Sequence, residues 1–218
     1  MAAHQFLSFK KHALVIVLLS FISTGSFAQF GIQVGWNTSG YKFTKSGVTE
    51  KRGWNWGVNA GVMYRLGGKL LCIQPTVLYT QKGATNNNDG PNYVSGILEF
   101  KNKLNYAELS LPVIFKVPLG VPKVSFDFGV GPYFGKLVSA VSKAKDLDGN
   151  TKKTNFKIGN ASTDDFKPGD IGLSIYMGCR IKHFNMCMGY DLGISNITPT
   201  TNETIKNGCF SINMGAFF

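Results

Sequence analysis

The sequence has little charge, little cysteine and, after residue 28, no long apolar run. Charged residues make up 16% of the 218 residues and hydrophobic residues 44%, a balance that excludes an intrinsically disordered chain. Four cysteines are too few for a disulfide-stabilised scaffold. Because no stretch of about 18 apolar residues follows residue 28, we expect no transmembrane helix in the rest of the chain.

Glycine and aromatic residues, in contrast, are plentiful. The chain holds 26 Gly, 17 Phe and 8 Tyr, and its glycines do not follow the every-third-residue period of collagen. This composition favours short strands and turns over a helical bundle. The length suits one all-β domain, since such domains often run to about 200–250 residues.

The N-terminus has the features of a secretory signal peptide. Lys10, Lys11 and His12 form a basic start, an apolar run occupies 13–22, and 26–28 is a small-x-small cleavage site. A membrane-anchor helix is the alternative, but it needs about 20 apolar residues. No cysteine directly follows the cleavage site, so lipid attachment is not expected. We therefore predict a signal peptide over 1–28 and one exported barrel domain over 29–218.

Alternating apolar and polar residues predict eight strands in that domain. Most of the alternating segments are about 9–13 residues long, the length that a tilted strand needs to cross a bilayer. The segments are 30–37, 54–65, 71–80, 107–116, 124–135, 170–181, 184–195 and 209–218.

The connections between these segments alternate between short turns and long polar loops. The short turns are 65–69, 118–122 and 182–183, and the long segments are 38–53, 81–103, 138–169 and 196–207. Short turns at one end and long loops at the other are typical of an outer-membrane barrel whose short turns face the periplasm.

The two alternating sets differ in residue type, and this difference predicts which set faces outward and whether the surroundings are lipid or water. One set is nearly all large apolar residues, whereas the other holds many glycines and the charged residues. A soluble barrel of the lipocalin type would place the apolar set inside. A water-facing surface rarely carries so many glycines and so few Lys and Glu. A narrow lumen uses glycine to leave room for crossing side chains, here Tyr106, Tyr133 and Tyr176.

Aromatic residues end the apolar set at both rims, as the two interfacial girdles of a membrane barrel do. The girdle residues are Trp36, Trp54, Trp56, Tyr79 and Phe134 at the long-loop rim, and Tyr64, Phe115, Phe184 and Phe218 at the short-turn rim. The pattern therefore predicts a closed antiparallel eight-stranded transmembrane β-barrel, of the all-β class, in the outer membrane.

Five segments resemble the small outer-membrane β-barrel proteins of Bacteroidetes, often called the PorT family. They are GIQVGWN at 31–37, LCIQPTVLYTQKG at 71–83, LNYAELSLPV at 104–113, GVGPY at 129–133 and YDLGISN at 190–196. The terminal Phe218 is similar to the C-terminal aromatic signal that the barrel-assembly machinery reads. The resemblance implies an eight-stranded outer-membrane barrel and, through the founding member, an association with type IX secretion. It implies no shared activity and carries over no catalytic or binding residue.

Six charged residues have inward parity and form the candidate polar cluster of the lumen. They are Arg65, Glu108, Lys116, Asp127, Arg180 and Asp191. In so narrow a lumen, opposite charges that neutralise one another in a hydrogen-bonded plug are one interpretation. A path for protons or a substrate is the other.

No constellation for catalysis, cofactor binding or metal binding stands out. Past residue 28 the only histidine is His183, at a short turn and without a neighbouring nucleophile. Asp146 to Asn150 resembles the start of a calcium loop but lacks its later ligands, so we predict a hairpin turn at Asp148–Gly149 instead. By parity Cys179 faces lipid while the other three cysteines face inward, and we expect all four to be free thiols.

Basic side chains concentrate in the first and third long loops. They are Lys42, Lys45, Lys51 and Arg52, and then Lys143, Lys145, Lys152, Lys153, Lys157 and Lys167. Contact with the phosphates of lipopolysaccharide is one hypothesis for them, and a merely solvated loop surface is the other. A nucleic-acid partner is not expected, because no recognition motif is present.

An eight-stranded interior is just filled by side chains, so we do not expect a general diffusion pore. The first functional hypothesis is a structural or interaction protein, with secretion machinery or an external molecule as partner. A narrow porin-like channel or transporter for small solutes is the alternative. An enzyme is the third hypothesis, and the lack of a histidine–nucleophile pair counts against it.

Overall fold

The structure is a computed structural model that describes residues 29–45, 47–87 and 97–218. The predicted signal peptide over 1–28 lies outside the described residues. No helix in the described part of the chain is long and apolar enough to span a bilayer.

The described residues form eleven strands. They are β1 Gln29–Lys45, β2 Val48–Gly67, β3 Leu71–Ile73, β4 Thr76–Asn87, β5 Ile97–Ser110, β6 Val113–Pro118, β7 Val124–Asp146, β8 Thr151–Asn155, β9 Gly169–Ile181, β10 Phe184–Gly193 and β11 Glu203–Phe217.

The strands close into an antiparallel ring of eight staves. Six staves are the single strands β1, β2, β7, β9, β10 and β11, while β3 with β4 and β5 with β6 form one stave each. Pairing of β1 with both β2 and β11 closes the ring, and β8 pairs only with β7. This confirms the predicted eight-stranded barrel.

Two prolines interrupt the two divided staves. Pro75 lies between β3 and β4 and Pro112 between β5 and β6, and neither residue can donate a ladder hydrogen bond. The interruptions lie side by side, because the backbone N–H of Gln74 donates to the carbonyl of Pro112 at 3.0 Å. The ring stays closed across them.

The apolar set faces outward and the polar set faces the lumen, as the alternation predicts. Large apolar side chains cover the outer wall, among them Trp56 and Phe184, each 71% exposed. The inward positions carry buried polar residues such as Asn37, Asn59 and Asp127. An apolar wall around a polar interior is the arrangement of a membrane barrel and the reverse of a soluble one.

The strands run well beyond the predicted segments at the long-loop end. β1 continues to Lys45 and β2 begins at Val48, so most of the first predicted loop is a paired hairpin. β4, β5 and β7 extend in the same way, and the turn between β7 and β8 includes Gly149 at φ +84°. The apolar alternation stops at the girdle because the outward face is mostly polar beyond it, although the backbone ladder continues. The described parts of 38–53, 81–103 and 138–169 are called the extension below.

A small apolar core closes the long-loop end of the lumen. Phe166 and Ile197, from the segments between strands, pack with residues of β1, β4, β5 and β7. The inward members are Tyr41, Ala84, Leu104, Tyr106, Leu137 and Ala140. The barrel therefore has an apolar cap above its polar interior.

Candidate functional site

The lumen holds a buried charge cluster near the long-loop end, called the upper cluster. The Lys82 ammonium lies 2.7 Å from Oε2 of Glu108, 3.4 Å from Oδ2 of Asp191 and 3.8 Å from Oδ2 of Asp170. These four residues come from β4, β5, β10 and β9, so the cluster joins staves across the lumen. The Lys82, Glu108 and Asp170 side chains are fully buried, whereas Asp191 retains some exposure.

Neutral groups complete the upper cluster. Oδ2 of Asp170 accepts from Asn207 at 2.8 Å and from the Tyr133 hydroxyl at 3.3 Å. Oδ1 of Asp191 accepts from Ser174 at 2.6 Å. The Lys82 ammonium also lies 4.1 Å from the centre of the Tyr133 ring, within the range of a cation–π contact. The ammonium is thus surrounded by carboxylates and aromatic faces.

A second cluster, the lower cluster, lies toward the short-turn end. Nη1 of Arg65 donates to Oδ2 of Asp127 at 2.8 Å, and Nε of Arg65 donates to Oε1 of Gln74 at 2.8 Å. Ser125 donates to the other oxygen of Asp127 at 2.7 Å. Arg65 and Asp127 are fully buried. Gln74 precedes Pro75, so the interruption between β3 and β4 sets one of the partners of Arg65.

An aromatic ring lies at the short-turn mouth. The ring of Phe217 lies 4.7 Å from the guanidinium carbon of Arg65 and 4.8 Å from that of Arg180. Arg180 donates to the backbone oxygen of Lys182 at 3.0 Å and to the side-chain oxygen of Gln29. Phe217 is 1% exposed and narrows the lumen below the lower cluster.

A polar cavity of about 60 Å³ separates the two clusters. Glu108 and Asp191 line its upper side, and Gln74 lines its lower side. Oδ1 of Asn59 and Oδ1 of Asn213 also line it and, in the described part of the chain, have no hydrogen-bond donor. A buried polar space of this kind suits a few water molecules.

The structure divides the six predicted lumen residues between these places. Glu108 and Asp191 belong to the upper cluster, and Arg65 and Asp127 form the lower one. Arg180 stacks on Phe217, and Lys116 lies at the short-turn rim, where its ammonium donates to the Gly68 carbonyl at 3.1 Å. The six predicted residues therefore do not form one group.

Sequence reasoning missed Lys82 and Asp170, which are central to the upper cluster. Lys82 falls in the predicted loop 81–103, although it continues the inward parity of Thr76, Leu78 and Thr80 along β4. Asp170 has the inward parity of β9 but was not included in the candidate cluster. Extending the alternation of β4 by two residues finds Lys82, whereas Asp170 already lies within the predicted segment 170–181.

The two ends of the lumen carry opposite formal charge. One lysine faces three carboxylates in the upper cluster, so its formal sum is 1 − 3 = −2. At the other end Arg65, Arg180 and Lys116 accompany Asp127, for a formal sum of 3 − 1 = +2. An ion of either sign therefore meets a region of its own sign on the way through.

The remaining candidate groups take part in the wall and turns. Nδ1 of His183 lies 3.1 Å from the backbone oxygen of Phe217, in the turn between β9 and β10. All four cysteines are free, with Cys179 partly exposed and the other three buried. Among the described residues, no group of three or more His, Cys, Asp or Glu is placed to hold a metal ion.

A closed strand ring with an apolar wall and a charged, filled lumen defines an integral outer-membrane β-barrel protein. The sequence model of the outer membrane protein beta-barrel domain matches residues 20–198, and the chain belongs to this family. Its location is accordingly the outer membrane.

Several solved structures are similar to this one. Neisserial surface protein A is 15% identical with a TM-score of 0.47, over 88% of this chain and 100% of that one. Ail, the attachment invasion locus protein of Yersinia pestis in complex with the heparin analogue sucrose octasulfate, is 13% identical with a TM-score of 0.41, over 88% and 99%. The N-terminal β-barrel domain of Pseudomonas aeruginosa OprF is 9% identical with a TM-score of 0.34, over 88% and 99%. Among curated proteins, none matches this sequence.

Proposed function

We propose that the protein is a closed outer-membrane barrel with a structural or interaction role, and that it works through its surfaces rather than through its lumen. The observation that carries this proposal is the pair of buried charge clusters that join opposite staves. Phe217 below the clusters and the apolar core above them also fill the lumen, which supports the same proposal. An open path would require these groups to separate and leave buried charges without partners, which is costly.

The geometry also argues against an enzyme. Nucleophilic catalysis needs a nucleophile and a base within about 2.6–3.2 Å of each other. The imidazole of His183 is directed to a backbone carbonyl. The carboxylates of the upper cluster are occupied by Lys82, Asn207 and Ser174.

Two surfaces are left as candidates for a partner. The first is the extension, which we place outside the cell because short turns face the periplasm in such barrels. The second is a concave surface at the short-turn mouth, which encloses a volume of about 740 Å³. Among the described residues that line it there are five cations and no carboxylate. The cations are Lys69, Lys116, Lys123, Arg180 and Lys182.

This concave surface favours a secretion-associated role of the PorT kind as the finer form of the proposal. It faces the periplasm, where secretion components lie, and its charge suits an acidic segment of a partner. Photo-crosslinking from position 121, which lines this surface, tests the idea, with position 138 on the outer wall as the control. Equal crosslinking from both positions would count against a periplasmic partner.

A narrow channel is the second candidate, and the polar cavity between the clusters favours it. Planar-bilayer recording of the purified wild-type protein separates the two candidates. We expect no steady openings from protein whose insertion is confirmed by heat-modifiable mobility and protease protection. Steady openings that change when Glu108→Gln is introduced would replace the closed-barrel proposal with the channel.

A further inference from the structure

Three lysines stand directly opposite one another on neighbouring strands of the extension. Lys101 on β5 pairs with Lys143 on β7, and Lys143 pairs with Lys153 on β8. Opposite residues in an antiparallel pair point to the same face, with Cβ atoms about 4.5–5.5 Å apart, and like charges so placed are destabilising. This set, called the lysine row, therefore carries a repulsion that a bound anion would relieve.

The lysine row faces away from the lumen. The buried Leu104 marks the inward side of β5, and the buried Ala140 marks the inward side of β7 above its bulge. Lys101 and Lys143 each lie an odd number of positions from these markers, so they have outward parity. Lys153 shares this face through its pairing with Lys143.

The height of the lysine row places it above the lipid-facing band. The last large apolar outward residue is Leu109 on β5, eight positions from Lys101, and Val138 on β7, five positions from Lys143. At about 3.3 Å per residue and a tilt of about 45°, the row stands about 19 Å above Leu109 and about 12 Å above Val138. Lys136 on β7 and Lys103 on β5 occupy two further outward positions below the row. Basic side chains thus follow the wall through the zone where headgroups and their sugars lie.

One carboxylate, Glu99, lies at the edge of this part of the wall, two positions from Lys101 on β5 and opposite Lys145 on β7. Within the described ranges, no ion pair joins Lys101, Lys103, Lys143 or Lys153 to an acidic group, whereas Lys45 pairs with Glu203 at 2.7 Å. Partial burial lowers the pKa of Lys103, and the positive charges of Lys143 and Lys101 lower it further. The positive field is therefore available to an external anion.

We propose that the lysine row binds phosphate groups of the glycolipid of the outer leaflet, lipopolysaccharide. The row lies on the wall, where outer-leaflet molecules surround the barrel, rather than at the hairpin tip. The tip carries Asp146 and Asp148, which repel a soluble polyanion approaching from above. This inference rests on the proposed role of the extension as an interaction surface.

The experiment uses native mass spectrometry of the refolded protein in detergent with defined lipids. The lipids are bisphosphorylated lipid A and lipid A without phosphate, and soluble pyrophosphate is added as a competitor. We expect wild type to retain the bisphosphorylated lipid at least about tenfold more tightly, since a lysine near a charged membrane surface contributes appreciably. Equal retention of the two lipids would overturn the proposal. Full competition by equimolar pyrophosphate would show a free-anion site and overturn the lipid assignment.

A matched pair of variants locates the site. The triple variant Lys101→Gln, Lys143→Gln and Lys153→Gln removes the row, and Lys152→Gln, Lys157→Gln and Lys167→Gln removes the same charge elsewhere in the extension. Lys152 adjoins Lys153 but pairs with Ala144, on the opposite face. We expect the phosphate preference to fall about tenfold in the row variant. A loss of similar size in the control variant would show that only net charge matters and would contradict the proposal.

Two measurements keep the test independent of folding and of the closed-barrel proposal. The single change Lys153→Gln lies on β8, which is off the ring, and should lower the preference without affecting barrel closure. Raising the salt concentration should weaken phosphate-dependent retention by wild type itself. Channel openings in the bilayer experiment would refute the closed barrel and leave lipid A binding unchanged, so the two failures are distinguishable.

Discussion

Lys82 is the residue on which the upper cluster depends, because among the described residues it is the one cation beside the three carboxylates there. Replacing it with methionine keeps an unbranched side chain but leaves those carboxylates without their counter-charge. Breaking one partner out of a buried ion pair costs about 3–5 kcal/mol. We expect Lys82→Met to lower the free energy of unfolding by that amount, measured by tryptophan fluorescence during urea unfolding in phospholipid vesicles.

Lys103→Met is the matched control for this change. Lys103 lies on the neighbouring strand and faces outward beyond the lipid-facing band, so its replacement should alter stability by no more than about 0.5 kcal/mol. The double variant Lys82→Met with Glu108→Gln should recover part of the loss, because one uncompensated carboxylate becomes neutral. Equal unfolding midpoints for Lys82→Met and Lys103→Met would show that the cluster contributes nothing to stability.

Individual charged residues could be predicted from the sequence only where apolar neighbours mark the strand. Arg65 and Asp127 lie among large apolar residues at every second position, so their inward direction follows from parity. Lys82 lies beyond Tyr79, where the outward neighbours Gln81 and Gly83 are no longer large and apolar. Which charges then pair across the lumen depends on the ring order of the staves, and one strand's alternation does not contain that information.

Gly131 shows how one element depends on the backbone of another. It faces the interruption between β5 and β6, and a Cβ atom there would lie 2.2 Å from the carbonyl oxygen of Leu111 and 2.5 Å from Cα of Pro112. Both neighbours are backbone atoms, so the interruption itself would have to move. We expect Gly131→Ala to destabilise the barrel by about 1–3 kcal/mol, the usual cost of overpacking, in the same urea titration.

Gly169→Ala provides the comparison for this substitution. Gly169 begins β9, and a Cβ added there meets nothing within 4 Å. Its replacement should leave the unfolding midpoint and the heat-modifiable mobility unchanged. If both alanine variants behaved like wild type, the close approach at Pro112 would not constrain the two staves.

At the level of elements, the sequence predicts the membrane part of the strands better than their upper parts. The alternation of β2 from Trp54 to Arg65 arises because one face meets lipid and the other the filled lumen. Above the girdle the outward face meets water instead of lipid, so residues 38–45 look like a loop although they pair along their whole length with β11. Backbone hydrogen bonds and a few inward side chains, such as the buried Tyr41, hold these strands in register. So few inward residues leave only a weak periodic signature in the sequence.

One orientation of the molecule in the membrane underlies both the periplasmic-partner proposal and the lipopolysaccharide proposal. Both place the extension outside the cell and the basic concave surface in the periplasm. The opposite orientation would put the lysine row beside the inner leaflet and would remove the reason for either partner. Orientation is therefore the property of the molecule whose measurement bears on both proposals at once.

Single added cysteines measure this orientation in intact cells. Asp148→Cys places a thiol at the exposed tip of the β7–β8 hairpin, and Val121→Cys places one in the turn between β6 and β7, where Val121 is 59% exposed. A membrane-impermeant maleimide should label the cysteine at 148 in intact cells, and the cysteine at 121 only after the outer membrane is permeabilised. The wild-type chain sets the background, since Cys72, Cys187 and Cys209 are buried and Cys179 faces lipid. Labelling of position 121 but not 148 in intact cells would show that the barrel has the opposite orientation. It would contradict both proposals, because the lysine row would have no lipopolysaccharide beside it and the basic concave surface would lie outside the cell.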